Sequence, residues 1–252
     1  MKRVSIAIPV VLIALAFGFF ACKKDSNTTS GNSTLGVKIV AMNKSYSLPV
    51  NNNGTKSTLA TTITWDTAYM TVSRIKYEAE LNSLISHRDS VKISYEWNGP
   101  QEVNLFDTNI SLGNFVLQPG YYDQVELKVD GFKQDAGNKP VFYLHGVYTN
   151  DSATHPIIVT VNENVMFKTE KDSVEVSDGN ASLITSSIQL YLDELLADIL
   201  PAALDNATLT NGVIVISKES NNELYKLIMR NLGRNHHCWH HHYHGQGHGM
   251  GH

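Results

Sequence analysis

Residues 91–97 read VKISYEW, in which apolar and polar residues alternate without a break. Successive side chains of a β-strand point to opposite faces of a sheet, so this alternation predicts a strand with one buried face. Asn98-Gly99-Pro100 follows and combines three turn-forming residue types, which predicts that the strand ends there. We therefore expect Tyr95 and Trp97 to lie in a hydrophobic core.

The same two-residue period recurs on both sides of this stretch, with Gly, Asn, Asp and Pro signals between the segments. A phase slip near Ser73-Arg74 predicts a β-bulge. Many short strands with almost no helical period indicate a mainly β protein, and we predict an antiparallel β-sandwich of immunoglobulin or transthyretin type. The other predicted strands are residues 35–41, 61–79, 103–106, 115–117, 125–129, 141–148, 157–161, 165–167, 174–176, 183–192 and 213–216.

One or two short helices are predicted near the C-terminus. Residues 191–200 (YLDELLADIL) begin as a strand and continue as a short helix that Pro201 should end. Ser220 and Glu223 have capping-box spacing ahead of an apolar helical pattern, and Gly233 is a stop signal. We expect the second helix to pack on the sandwich edge, within a single domain at residues 35–232.

The N-terminus has the features of a lipoprotein signal peptide. Lys2 and Arg3 precede an apolar run over residues 4–20, and Ala21 stands before Cys22. We predict cleavage after residue 21 and acylation of Cys22, with residues 22–34 as a flexible polar tether. The alternative is an uncleaved anchor helix, for which the run is at the short limit.

An acylated Cys22 places the protein in the cell envelope, most naturally at the outer membrane. Lys23-Lys24-Asp25 follows and resembles the export signal of surface lipoproteins in the Bacteroidota, although that signal usually has two acidic residues. The sequence is compatible with two locations of the anchored protein, the periplasmic face of the membrane and the cell surface.

The last residues of the chain contain most of its histidines. Eight of the 11 histidines fall there, in a predicted tail over residues 233–252. Imidazole suits Zn²⁺, Ni²⁺ and Cu²⁺, and thiolate or thioether ligands add affinity for Cu⁺. Alternating glycines from Gly245 to Gly251 argue for a flexible chelator. The predicted ligands are His236, His237, Cys238, His240, His241, His242, His244, His248, Met250 and His252.

The histidine-rich tail has two alternatives to a physiological metal-binding role. The first is an expression tag, but a tag would not contain the interleaved Cys238, Trp239, Tyr243 and Met250. The second and stronger alternative is a polar tail that binds metal only in vitro. If Cys22 is acylated, Cys238 has no intrachain disulfide partner, which makes a metal its natural partner.

Residues outside the tail give weaker signals. His87, His145 and His155 are isolated, and we expect His145 to be a strand histidine with a satisfied hydrogen bond. Asp193, Glu194 and Asp198 suit the start of a helix. Four aromatic residues could form a sugar-stacking platform: Tyr95, Trp97, Tyr121 and Tyr122. The alternative for Tyr95 and Trp97 is a place in the core. We expect Tyr121 and Tyr122 to lie on opposite faces of their strand.

The composition and motifs exclude several classes of protein. A formal net charge of −4 without a basic face argues against nucleic-acid binding. The sequence has no GxSxG, P-loop or HExxH motif, so we predict no enzyme activity and no organic cofactor.

Three segments carry a resemblance to a known family. They are residues 63–80, VNLFD at 103–107 and LQPGYYDQVEL at 117–127. Together they resemble uncharacterised β-sandwich domains of bacterial, Bacteroidota-type lipoproteins, over roughly residues 35–195. The resemblance implies a β-sandwich on a lipid tether, with no agreed activity.

Two functions follow as expectations. The first is a tethered, non-enzymatic lipoprotein whose tail binds or buffers Cu, Ni or Zn. The alternative is a surface binding or adhesion module that recognises a glycan or a protein through the sandwich loops. Fold class alone does not choose between them.

Overall fold

The computed structural model describes residues 32–48, 61–82, 90–135, 139–176 and 183–234. These ranges form two β-sheets with few short helices, which confirms the predicted mainly β fold class and is consistent with a β-sandwich. The strands are β1 (Ser33–Met42), β2 (Ser45–Ser47), β3 (Thr62–Asn82), β4 (Ser90–Asn104), β5 (Leu112–Leu117), β6 (Gly120–Gly131), β7 (Phe142–Thr149), β8 (Thr154–Val161), β9 (Val165–Val176), β10 (Leu183–Tyr191), β11 (Leu209–Thr210) and β12 (Val213–Ile216). The helices are α1 (Leu192–Leu195), α2 (Pro201–Asp205) and α3 (Asn222–Arg234).

Strand β3 organises the larger sheet. It has 21 residues and pairs with four other strands. At Tyr69 and Met70 it pairs with both β4 and β7, and from Arg74 to Asn82 it pairs with both β4 and β6. A strand has only two edges, so β6 and β7 share one edge of β3, and β4 lies along the other.

The larger sheet therefore has two halves along β3. In the N-terminal half, β7 pairs with β8, and β8 pairs with β12. In the C-terminal half, β6 pairs with β9. The register shift between Val72 and Arg74 lies where β7 gives way to β6, at the position of the predicted bulge. Ser73 stands there opposite two residues of β4, Gly99 and Pro100, so the extra residue belongs to β4.

Polar contacts hold the junction between the halves. The Ser73 hydroxyl accepts a hydrogen bond from the backbone N–H of Phe132 at 2.9 Å. The guanidinium of Arg74 lies 2.8 Å from the carboxylate of Asp130, which is 3% exposed. The carboxylate is thus buried but paired, which the low dielectric of a protein interior requires.

The smaller sheet has the order β10-β1-β5 and covers the inner face of the larger one. Eight of the ten strand pairs in the described residues are antiparallel, as predicted, but β1–β10 and β8–β12 are parallel. Parallel neighbours need a long crossover connection, and the alternation of residue types gives no information about partners so distant in the chain.

A single hydrophobic cluster fills the space between the sheets. Aromatic rings of both sheets meet inside it: Tyr95 of β4 stacks on Phe115 of β5 with ring centroids 5.8 Å apart. The largest fully buried side chains include Trp65, Tyr122, Phe142, Tyr148 and Phe167.

The prediction that residues 91–97 end at a turn is wrong. Strand β4 continues to Asn104, and the peptide bond between Gly99 and Pro100 is cis within it. Tyr95 and Trp97 pack against the core but stay half-buried, and Val91 is 61% exposed. The alternation identified the inner face correctly, whereas its burial depends on how far the opposite sheet extends.

Two details of the predicted helices are also wrong. Pro201 does not end a helix but begins α2. A backbone N–H in the first turn of a helix has no intrahelical partner, so proline, which lacks this N–H, is well tolerated there. Gly233 does not follow α3 but belongs to its last turn. The predicted packing of α3 on the sandwich is confirmed by its buried residues Leu224, Tyr225, Ile228 and Leu232.

A short corner at residues 118–119 connects the two sheets. β5 belongs to the smaller sheet, and β6 begins in the larger sheet at Gly120. The hydroxyl of the buried Tyr122 donates a hydrogen bond to the backbone oxygen of Gln118 at 2.7 Å. Burial raises the pKa of Tyr122 to about 12, so the hydroxyl keeps its proton.

Tyr122→Phe should destabilise the protein by about 1–2 kcal/mol, because the Gln118 carbonyl then loses its partner. Urea unfolding measures this change. Tyr121→Phe is the matched control, because the Tyr121 hydroxyl bonds the exposed Glu175, and its cost should stay below about 0.5 kcal/mol. Equal costs for the two variants would contradict a structural role for the corner.

Candidate functional site

The predicted site residues lie outside the described residues. These are the lipidation site Cys22 and the tail ligands His236, His237, Cys238, His240, His241, His242, His244, His248, Met250 and His252. The predicted signal peptide (residues 1–21) and His87 lie outside them as well. The structure describes the first strand and the last helix of the folded body.

The N-terminal side of the chain joins the body at the beginning of β1. This strand starts at Ser33, so the last two residues of the predicted tether belong to it. Ser33 is buried and pairs with Leu117, beside the corner at residues 118–119. A tether pulling on the chain at this point would pull on a strand hydrogen-bonded along both edges.

The C-terminal side leaves the body through α3. Asn231 is 5% exposed, and its side-chain amide donates a hydrogen bond to the backbone oxygen of Leu195, in α1, at 3.1 Å. One residue earlier, Arg230 pairs with Asp198 at 2.7 Å. The last turns of α3 are thereby fixed against α1 and the residues that follow it.

These two attachment points lie at opposite ends of the smaller sheet. Met42, the last residue of β1, pairs with Tyr191, and α1 begins at the next residue, Leu192. The final turns of α3 contact this α1 end, whereas Ser33 marks the other end. Since β1 has 10 residues and a strand rises about 3.3 Å per residue, the two ends are about 30 Å apart.

His145 lies on the outer face of β7, and a bulge gives it a partner. The register between β3 and β7 shifts between Trp65 and Thr67, which leaves both Asp66 and Thr67 exposed. His145 Nδ1 is 2.7 Å from Asp66 Oδ1. Hydrogen bonding to His145 lowers the pKa of Asp66. The predicted strand histidine with a satisfied hydrogen bond is confirmed.

The described residues contain no group of three or more His, Cys, Asp or Glu side chains that could hold a metal ion. Two of the three acidic residues noted at 193–198 have side-chain partners in the structure. Asp193 accepts a hydrogen bond from the Asn43 amide at 2.8 Å, and Asp198 pairs with Arg230.

The four aromatic residues suggested as a platform do not share one face. Tyr122 is buried while Tyr121 reaches the opposite face, as predicted, and Tyr95 stacks on Phe115 inside the sandwich. The sequence missed a different pair: Tyr69 and Tyr143 stack on the outer face, with centroids 4.8 Å apart. They are opposite each other in register, which only the strand pairing reveals.

A ladder of charges covers the outer face of the C-terminal half-sheet. Ion pairs join its lysines and glutamates across β3, β6 and β9. Hydrogen bonds from Lys128 and Lys168 lower the pKa of Glu126. The ladder consists of Lys76, Glu78, Glu126, Lys128, Lys168 and Glu170.

Two open surface depressions of about 330 Å³ each lie beside this ladder, around Gln124. Gln124 has a φ of 51° at a bulge of β6. Their rims are mostly charged or polar, without the apolar enclosure usual for a small-molecule site.

No protein-family model, curated protein or solved structure matches this chain. The resemblance to Bacteroidota-type lipoprotein domains therefore stays a prediction. The longest described helix, α3, has 13 residues, and none of the helices in the described ranges has the length and apolarity of a membrane span.

The anchoring of α3 can be tested with two neighbouring residues. Asn231→Ala should destabilise the body by about 1–3 kcal/mol, because the Leu195 carbonyl loses its donor in a buried setting. Arg230→Ala removes a half-exposed ion pair and should cost less than about 1 kcal/mol. Chemical denaturation compares them, and a larger loss for Arg230→Ala would contradict the anchor.

Proposed function

We propose that this chain is a lipid-anchored, non-enzymatic envelope protein whose C-terminal tail binds Cu, Ni or Zn as cargo. One observation carries the proposal: eight of the 11 histidines stand between residues 236 and 252, together with Cys238 and Met250. Such a density of imidazoles in one short segment has no role in a β-sandwich core.

The donor set matches borderline and soft metals. Neutral imidazole binds Zn²⁺, Ni²⁺ and Cu²⁺, and a thiolate or thioether favours Cu⁺. Carboxylate side chains, which Mg²⁺ and Ca²⁺ prefer, do not occur after residue 223. The tail is therefore suited to transition metals and unsuited to the abundant hard cations.

The geometry of the body supports this arrangement. A lipid on Cys22 would hold the Ser33 end of the smaller sheet towards the membrane. The first two residues of the predicted tail, Gly233 and Arg234, belong to α3, and this helix is fixed at the end about 30 Å away. The sandwich then serves as a spacer that presents the ligands away from the lipid.

Metal binding should be lost when the tail is removed. The chain from residue 22, with Cys22→Ser and without a purification tag, should bind about one or more Cu, Ni or Zn ions, because a few imidazoles suffice for one site. A chain ending at Arg234 keeps α3 complete and should bind none. Calorimetry and elemental analysis measure the stoichiometry.

The described histidines provide the control. His145→Ala and His155→Ala should leave the stoichiometry unchanged, because neither belongs to a metal-ligating group in the described residues. Unchanged binding by the chain that ends at Arg234 would refute the proposal.

Lipidation needs its own test. Cells given a fatty-acid analogue should label the wild-type protein and not Cys22→Ser, because the acyl groups are attached to the residue at position 22. Cys238→Ser is the matched cysteine control and should keep the label. Label on Cys22→Ser would exclude this site of acylation.

The alternative is that the sandwich binds a glycan or protein. The half-buried Tyr69–Tyr143 stack on the outer face favours it, since aromatic residues are enriched at binding surfaces, and Lys139 lies 5.9 Å from the Tyr69 ring centroid. Glycan binding that survives removal of the tail but is lost in Tyr143→Ala would support this function over metal capture.

A further inference from the structure

Strand β4 forms an open edge of the larger sheet. It pairs with β3 along one edge, and no described residue forms a backbone ladder with its other edge. Pro100 has no N–H to donate to a neighbouring strand. The part of the free edge that can form a regular backbone ladder is therefore the segment from Ser90 to Asn98. A long free edge is a template for another strand unless the protein blocks it.

The inner face of this segment is only partly covered. Phe115 of β5 stacks on Tyr95, and the short β5 has just six residues against the 15 of β4. Trp97 and Ile93 remain half-buried, and Val91 is 61% exposed. Among the large apolar residues that the structure finds exposed, Val91 is the most exposed.

The segment is chemically self-complementary about Ser94. In an antiparallel pair of two copies centred on Ser94, Lys92 of each copy lies opposite Glu96 of the other. On the inner face, Ile93 lies opposite Tyr95, and Val91 lies opposite Trp97. Opposite charges and aromatic–aliphatic pairs are favourable cross-strand neighbours.

Neighbouring registers lack this match. Centring on Ile93 places Lys92 opposite Ser94, and centring on Tyr95 places Glu96 opposite Ser94. Charges of a single sign along a strand edge would repel the same edge of a second copy. Here the two signs are spaced so that a two-fold axis brings them together, as an isologous interface requires.

We propose that two copies of this chain associate through antiparallel pairing of their β4 edges, centred on Ser94. The pairing joins the C-terminal halves of the two larger sheets into one continuous sheet. It provides partners for the free backbone groups of residues 90–98 and covers Val91 with Trp97 of the second copy. At the other side of that half-sheet, β9 carries Lys168 and Glu170 of the charged ladder.

Charge reversal tests both the partner and the register. The chain from residue 22, with Cys22→Ser, is studied by sedimentation and light scattering over a concentration series. EDTA and a reductant exclude association through the histidine tail or Cys238. Lys92→Glu and Glu96→Lys should each weaken the dimer by about tenfold or more, because two attractive pairs become two repulsive pairs.

The double variant Lys92→Glu/Glu96→Lys restores opposite charges and should recover the wild-type dissociation constant. Lys226→Glu, an exposed lysine on α3, is the matched control and should have no effect. Circular dichroism checks that each variant is folded. A wild-type chain that stays monomeric at every concentration overturns the proposal, and so does a dimer that both single variants leave unchanged.

Discussion

The continuity of β3 is the constraint on which the rest of this structure depends. Its 21 residues are too long to be covered by one neighbour of ordinary length, so β6 and β7 share an edge and the larger sheet has two halves. The bulge between Val72 and Arg74 lies where they meet. Arg74 neutralises the buried Asp130 beside it, and leaving such a carboxylate without its partner is costly.

From this strand the sandwich follows. The inner face of β3 supplies Ile63, Trp65, Met70, Ile75 and Tyr77 to the core, and the smaller sheet closes over them. The corner at residues 118–119 passes the chain directly from one sheet to the other, held by Tyr122. Because β1 is central in the smaller sheet and α1 follows its parallel partner β10, the start of β1 and the last turns of α3 lie at opposite ends of this sheet.

In the proposed function, the described body acts as a scaffold. Ion pairs join its lysines and glutamates across strands, the contact between His145 and Asp66 is exposed, and the open depressions have mostly polar rims. This distribution fits a proposed function in which the folded part sets distance and orientation, and the ligand-rich residues after Arg234 bind the metal. The proposed pairing through β4 would add a second tether and a second tail to the same particle.

Much of the fold could be predicted because hydrophobic alternation is local. It identified the inner faces of β1 and β4, the bulge near Ser73 and the apolar face of α3. It failed at Gly99-Pro100, where turn-forming residues sit inside a strand, because β3 holds both sides of that segment in one ladder. It also missed the Tyr69–Tyr143 pair, whose members are 74 positions apart.

The sequence by itself determined the mainly β class, the features that predict a lipid anchor and the metal-ligating composition of the tail, since each is a property of neighbouring residues. Only the tertiary structure decided which strands pair, that two pairs are parallel, and that α3 is held against α1 about 30 Å from the start of β1. These depend on contacts between residues far apart in the chain, and a local pattern contains no information about them.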